Sequence, residues 1–260
     1  MNTLVIAHRG ASSLAKHENT LEAFQIAIDL GANMAELDIR KTLDNKLIVF
    51  HNPSINDIPI GSLTYKELCD ITIKEGYTVP LYIQVLRLCQ NKIKLDIEIK
   101  EYGYEKSIVN LTKKYFDYKD YFMKSFIDKT VAKIKSIDSN ITAGLLIGTT
   151  NHSLYNRLNE YYPVRRLRLC KADFVSPHYK FVTRDFIKRM HFHHYPVYSW
   201  TVNTPEIMAK LLSKKVDGII SDRPDIAIQL RNGFAIKQSK KHYIRKDASI
   251  WCSRYLQNDL

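Results

Sequence analysis

Apolar residues along this chain fall into short runs that alternate with longer stretches in which apolar positions recur every third or fourth residue. The first pattern suits buried strands and the second suits helices packed by one face. Thr3 to Ala7 reads as the opening strand. Leu21, Phe24, Ile28 and Leu30 then share a helical face, with Asn19 or Thr20 as cap and Gly31 as stop. Met34 to Arg40 is predicted as a strand, and Lys41 to Asn45 as a turn leading back into a strand over Lys46 to Phe50. A polar connection holding Pro53, Pro59 and Gly61 follows, then Ser62 to Leu68, read as a capped helical turn. Tyr82 to Cys89 gives a helix, and Lys92 to Lys100 a strand of clean alternation. Leu95, Ile97 and Ile99 face one way there, while Asp96, Glu98 and Lys100 face the other.

The second half repeats this alternation. Strands are predicted over Phe122 to Ile127, Ile141 to Ile147, Ala172 to Ser176, Pro196 to Val202 and Gly218 to Ser221. Helices are predicted near Glu105 to Tyr115, Lys129 to Ile137, Ser153 to Leu158, Thr183 to Met190 and Ile226 to Leu230, with one more starting after Thr204, where Pro205 suits the first helical position. Eight strands alternating with eight helices predict an α/β fold, a single-domain (β/α)8 or TIM barrel, and a length of 260 residues suits one. The barrel is assigned to residues 1–234 and a short basic C-terminal extension to 235–260. In that tail Lys237 to His242 is polar and basic, whereas Ile250-Trp251 and Tyr255-Leu256 are apolar. A short helix docked on the body is the expectation for it.

Composition narrows the class without naming a function. Hydrophobic residues at 45% and charged residues at 25% are those of a globular protein, and no run approaches the roughly 18 apolar residues of a membrane span. The first strand leads directly into His8, so no secretory signal is expected and the cytoplasm is the expected location. A net charge of +12 fits a nucleic-acid binder, a membrane-surface protein or an enzyme for anionic substrates. No nucleic-acid motif accompanies it, whereas peripheral contact with a membrane or lysolipid through the basic surface stays open. Cys69, Cys89, Cys170 and Cys252 lie far apart with no zinc-like spacing, which points to reduced structural thiols.

The chemistry concentrates between His8 and Pro53. Leu4 to Ala7 and Leu47 to Phe50 each end on a histidine, His8 and His51, as strands do when they deliver side chains to one rim of a sheet. Glu36 and Asp38 are two apart on a strand and so share a face, a pair that is costly to bury without a cation. With Glu98 from the next barrel strand they form a hard oxygen set suited to a divalent cation, Mg²⁺ or Ca²⁺. Arg9 and Lys100 are cations beside these acids, able to hold anionic oxygens.

Taken in order, His8-Arg9-Gly10, His17-Glu18-Asn19-Thr20, Glu36-Leu37-Asp38, Thr42-Leu43-Asp44 and His51-Asn52-Pro53 resemble the signature of the glycerophosphodiester phosphodiesterase family. Lys124-Ser125-Phe126, Trp200-Thr201-Val202-Asn203 and the closing run Val216 to Pro224 resemble its later motifs, so the likeness spans roughly Thr3 to Leu230. The resemblance implies metal-dependent hydrolysis of a small-molecule glycerophosphodiester to glycerol 3-phosphate and an alcohol. It assigns His8 and His51 as acid and base in an unassigned order, Glu36, Asp38 and Glu98 to the metal, and Glu18 to a place beside Arg9 or the metal shell. Ser125 and Trp200 join Arg9, Lys100 and Glu18 as expected substrate-binding residues, Trp200 as an apolar wall under the glycerol. Two positions depart from the pattern: His17 replaces the usual proline, and Asn52 the usual aspartate. A lipid head-group phosphodiesterase of the lysophospholipase D or sphingomyelinase D type and a non-catalytic phosphate- or lipid-binding module are the alternative readings.

Overall fold

The computed structural model describes residues 3–148 and 160–235. Its strands are β1 Leu4–Ala7, β2 Met34–Lys41, β3 Leu47–Val49, β4 Ser54–Ile55, β5 Ile58–Pro59, β6 Lys94–Ile99, β7 Tyr121–Ser125, β8 Ala143–Ile147, β9 Phe174–Pro177, β10 Tyr198–Ser199 and β11 Gly218–Ser221. The helices between them are α1 Leu21–Asp29, α2 Tyr65–Lys74, α3 Tyr82–Cys89, α4 Glu105–Thr112, α5 Asp128–Ile137, α6 Val164–Cys170, α7 Arg184–Phe192 and α8 Pro205–Ser213, and α9 runs over 224–235. The tail and the helix expected at Ser153 to Leu158 lie outside the described residues. None of the described helices is long and apolar enough to cross a membrane.

The main sheet runs β10-β11-β1-β2-β6-β7-β8-β9, every neighbouring pair parallel. It closes through parallel bridges from Val175 to Val197 and from His178 to Trp200, the Val175 N–H donating to the Pro196 carbonyl at 3.0 Å. The chain therefore folds as the (β/α)8 barrel that its alternation predicts. The expected strand over Pro196 to Val202 shrinks to Tyr198–Ser199, because most of this closing edge pairs by isolated bridges.

Alternation along each strand sorts the two faces. Leu95, Ile97 and Ile99 join Val85, Leu86 and Ile108 in the buried layer between sheet and helices. Inside the barrel, Ile6, Met34, Phe174, Tyr198 and Ile220 form a separate apolar cluster, with the Phe122 and Phe174 rings 5.4 Å apart. Each large side chain fully buried there contributes roughly 1.5–3 kcal/mol. Gly144 makes room for this cluster, since a Cβ added to it would come within 2.0 Å of the Phe174 ring.

The segment 52–81 lies beside β3 and builds a small satellite core on Ile48, Ile55, Ile60, Leu63, Leu68 and Val79. Here the expected turn is a full helix, α2. Thr64 and Glu67 form a reciprocal capping box, the Thr64 N–H donating to Glu67 Oε2 at 2.8 Å and the Glu67 N–H to Thr64 Oγ1 at 3.3 Å. Of its residues only Leu68 and Thr72 are buried, so the apolar stripe is too thin to read as a helix in sequence.

Candidate active site

Parallel register explains how the site assembles. β1 and β11 pair Ala7 with Ser221, so the next residues, His8 and Asp222, emerge side by side. His8 Nδ1 and Asp222 Oδ1 are 2.6 Å apart. Ser12 Oγ at 2.9 Å and Asn203 Nδ2 at 2.5 Å also donate to the Asp222 carboxylate. Burial pushes that carboxyl upward, but these donors and His8 outweigh it and hold its pKa down at about 2. His8 Nε2 in turn lies 3.9 Å from Glu36 Oε2. Burial alone would lower the His8 pKa, yet Asp222 and Glu36 raise it above the ordinary histidine value.

β2 and β6 pair Glu36 with Asp96 and Asp38 with Glu98, and β7 sets Lys124 level with Glu98. All of these point into the barrel, and Glu36, Asp38 and Glu98 are 1%, 1% and 7% exposed. Each offers a carboxylate oxygen, and the three oxygens lie within 4.8 Å of one another. Basic groups surround them. Lys100 Nζ lies 2.6 Å from Glu98 Oε1 and 3.3 Å from Asp38 Oδ1, Arg9 Nε 3.3 Å from Asp38 Oδ2, and Asn19 Nδ2 donates to the same Asp38 oxygen at 2.9 Å. Burial raises the Asp38 pKa, but Lys100 and Arg9 overcome it and hold the group ionised well below the usual range. Glu98 behaves differently: burial, helped by Asp38 and Glu36, outweighs Lys100 and lifts it to about 7. Three buried oxygen donors whose mutual repulsion is only partly relieved fit a hard divalent cation.

The His8-Arg9-Gly10 turn is shaped by its backbone. Arg9 and Gly10 both take positive φ, 52° and 78°. A Cβ on Gly10 would meet the Ala23 backbone at 2.6 Å, so only glycine lets this turn pack against α1. The turn points the Arg9 N–H at Glu36 Oε2, 3.0 Å away. Glu18 receives Arg9 Nη1 on both carboxylate oxygens, at 2.8 and 2.9 Å, and so orients the guanidinium.

His51 follows β3 and reaches the same cavity from another wall. Arg40 Nε donates to its carbonyl at 2.8 Å. His51 Nδ1 lies 2.8 Å from Asn52 Oδ1. An amide oxygen only accepts, so Nδ1 carries the hydrogen and Nε2 keeps its lone pair in the neutral ring. Burial lowers the His51 pKa, and although Asp38 opposes this, Lys100 and Arg9 add to the lowering.

A cavity of about 70 Å³ brings together His8, Arg9, His51, Glu36, Glu98 and Lys100. Trp200 also lines it, its Nε1 donating to the Ser176 carbonyl at 2.8 Å and its ring edge-on to Phe126. Ser125 is not among the lining residues. Its hydroxyl is buried and donates to the Ile99 carbonyl at 2.7 Å. Its neighbour Lys124 lines the cavity, with Nζ 2.6 Å from Asp96 Oδ2 and 3.6 Å from Glu36 Oε1.

Residues 8–226 match the model of the glycerophosphoryl diester phosphodiesterase family. The chain belongs to that family. It is 29% identical over 244 residues to YhdW of Bacillus subtilis (strain 168), covering 86% of this chain and 96% of that one. To the glycerophosphodiester phosphodiesterase of Caldanaerobacter subterraneus subsp. tengcongensis it is 27% identical over 248 residues, covering 88% and 98%. Among solved structures, an Oleispira antarctica phosphodiesterase in complex with the product sn-glycerol-3-phosphate superposes with a TM-score of 0.75 at 20% identity, covering 89% of this chain and 97% of that one. At that identity the likeness carries the barrel fold. Membership of the glycerophosphoryl diester phosphodiesterase family agrees with the motif order from His8 to Pro224.

Proposed function

We propose that this protein hydrolyses glycerophosphodiesters to glycerol 3-phosphate and an alcohol, with a divalent cation held by Glu36, Asp38 and Glu98. The observation that carries the reading is the convergence of those three acids, with Glu36 and Glu98 lining the cavity that His8 and His51 share, on a chain of this family. The product named in the Oleispira antarctica complex, glycerol 3-phosphate, supports the same substrate class here. The cation, Mg²⁺ or Ca²⁺, would supply Lewis-acid neutralisation of the phosphoryl charge.

The remaining work falls to the chain's own side chains. Arg9, fixed by Glu18, and Lys100 take phosphate oxygens, Arg9 by its planar fork. Lys124 braces Glu36 from below through its bond to Asp96. His8, paired with Asp222, holds a proton on Nε2 and donates it to the departing alkoxide as general acid. His51, turned by Asn52, presents the Nε2 lone pair and accepts the nucleophile's proton as general base. Histidines displaced in opposite directions suit that division. The nucleophile is water or the adjacent glycerol hydroxyl; the latter expels the alcohol to leave a cyclic phosphate, whose ring P–O bond water then opens to give glycerol 3-phosphate.

A product assay on glycerophosphocholine, glycerophosphoethanolamine and glycerophosphoglycerol with Mg²⁺, Ca²⁺ or chelator tests the proposal. Cation-dependent release of glycerol 3-phosphate is expected. Full activity in chelator, or no cleavage of any diester with either ion, would reject it.

A further inference from the structure

Beside the catalytic cavity lies a larger chamber of about 300 Å³, and His51 lines both. A phosphodiester with its phosphorus beside His51 therefore has room for one of its two ester arms in this chamber. The lining is unusual for a chain of net charge +12. It presents two carboxylates, Glu18 and Glu75, and the aromatic rings of Phe50 and Tyr77, with no lysine or arginine. His17 stacks on Tyr77 with ring centres 4.4 Å apart and so fixes the tyrosine's plane. Lys16 Nζ reaches over Gly76 nearby but is not part of the lining.

The two acids are in different states. Glu18 is committed to Arg9 through both oxygens. Glu75, at the C-cap of α2 and exposed, makes no ion pair among the described residues. Both lie near enough to Tyr77 to add to burial in raising its hydroxyl pKa. Asn19 also lines the chamber, and its Nδ2 is given to Asp38. A free carboxylate beside aromatic faces is the combination that recognises an ammonium ion.

We infer that this chamber is the subsite for the alcohol arm and that it selects alcohols bearing an ammonium group, such as choline or ethanolamine, through Glu75, Tyr77 and Phe50. The inference rests on the phosphodiesterase reading above and adds the head-group class. An anionic alcohol meets Glu75 and Glu18 there, and a neutral one of equal shape forgoes the charge interaction.

The test compares kcat/KM for glycerophosphocholine, glycerophosphoethanolamine and the uncharged 3,3-dimethylbutyl ester that copies the choline shape. Both ammonium esters are expected to exceed the neutral one by roughly tenfold, and Glu75→Gln to reduce that ratio severalfold. Binding of free choline, followed by NMR on the metal-loaded protein, gives a readout without turnover and is expected to weaken severalfold in Glu75→Gln and in Tyr77→Leu. A neutral ester cleaved as well as the ammonium esters, or a ratio and choline affinity unmoved by Glu75→Gln, would overturn the subsite while leaving the hydrolase reading intact. If no diester is cleaved, that reading fails, and choline binding still decides the chamber.

Discussion

His8 and His51 stand at the ends of two strands and face one cavity, yet each is held from behind by a different kind of group. Asp222 lies 2.6 Å from His8 Nδ1, and Asn52 lies 2.8 Å from His51 Nδ1. Both partners fix the ring and both take the Nδ1 hydrogen. Both bonds favour the imidazolium, but only Asp222 adds a full negative charge to it. Burial presses both rings toward neutrality; Asp222 and Glu36 reverse that at His8, whereas Lys100 and Arg9 reinforce it at His51. Identical side chains thus acquire opposite proton affinities from their neighbours. Asn52, a departure from the usual aspartate, strengthens the contrast.

The largest expected effect comes from removing either ring. His8→Ala and His51→Ala should each lower kcat by about 10²–10⁴-fold with an unchanged circular dichroism spectrum; near-parental turnover in either purified variant would break the comparison at its root. Glu98→Gln comes next. It replaces one of the three clustered carboxylates by a neutral amide that coordinates more weakly, so the divalent-ion concentration for half-maximal activity should rise by about tenfold or more. A metal titration checks this, and an unchanged midpoint would remove Glu98 from the ligand set.

A smaller effect separates the walls behind the two rings. The His51 side leans on β3 and the satellite core that α2 completes, whereas the His8 side is part of the closed barrel. Thr64→Ala breaks the capping box of α2 and should cost about 1 kcal/mol of stability. Denaturant unfolding measures that loss, and hydrogen exchange should localise it to the α2 region.

Much of this arrangement is legible in the chain because strand alternation has a period of two. Glu36, Asp38 and Glu98 share the inner face of adjacent strands by parity alone, and the two histidines follow apolar runs. The same parity separates Lys124 from Ser125: Lys124 lies in register with Glu98 and faces inward, leaving Ser125 to bond the Ile99 carbonyl. Asp222 is harder to find. Its pairing with His8 depends on β1 and β11 meeting across 214 residues of sequence, and no local pattern reports that contact. Read on its own, the run around it looks like barrel closure, although its position just after a strand end, like that of His8, is the available signal. Arg40, buried at 6% exposed and holding the His51 carbonyl, is likewise set by the return of β3 onto β2. α2 is under-read because its helix rests on a cap and few buried residues.

The most direct measurement is the pH dependence of kcat/KM for the parent, Asp222→Asn and Asn52→Asp under saturating divalent ion. His8 must be protonated to act as acid, so its raised pKa carries activity to higher pH, and loss of Asp222 should move the alkaline limb down by roughly one pH unit. His51 must be neutral to act as base, so its lowered pKa carries activity to lower pH, and a carboxylate at Asn52 should move the acid limb up by a similar amount. Opposite limbs moving toward each other is the predicted result; both variants shifting the same limb, or neither shifting any, would contradict the division of labour between the two rings.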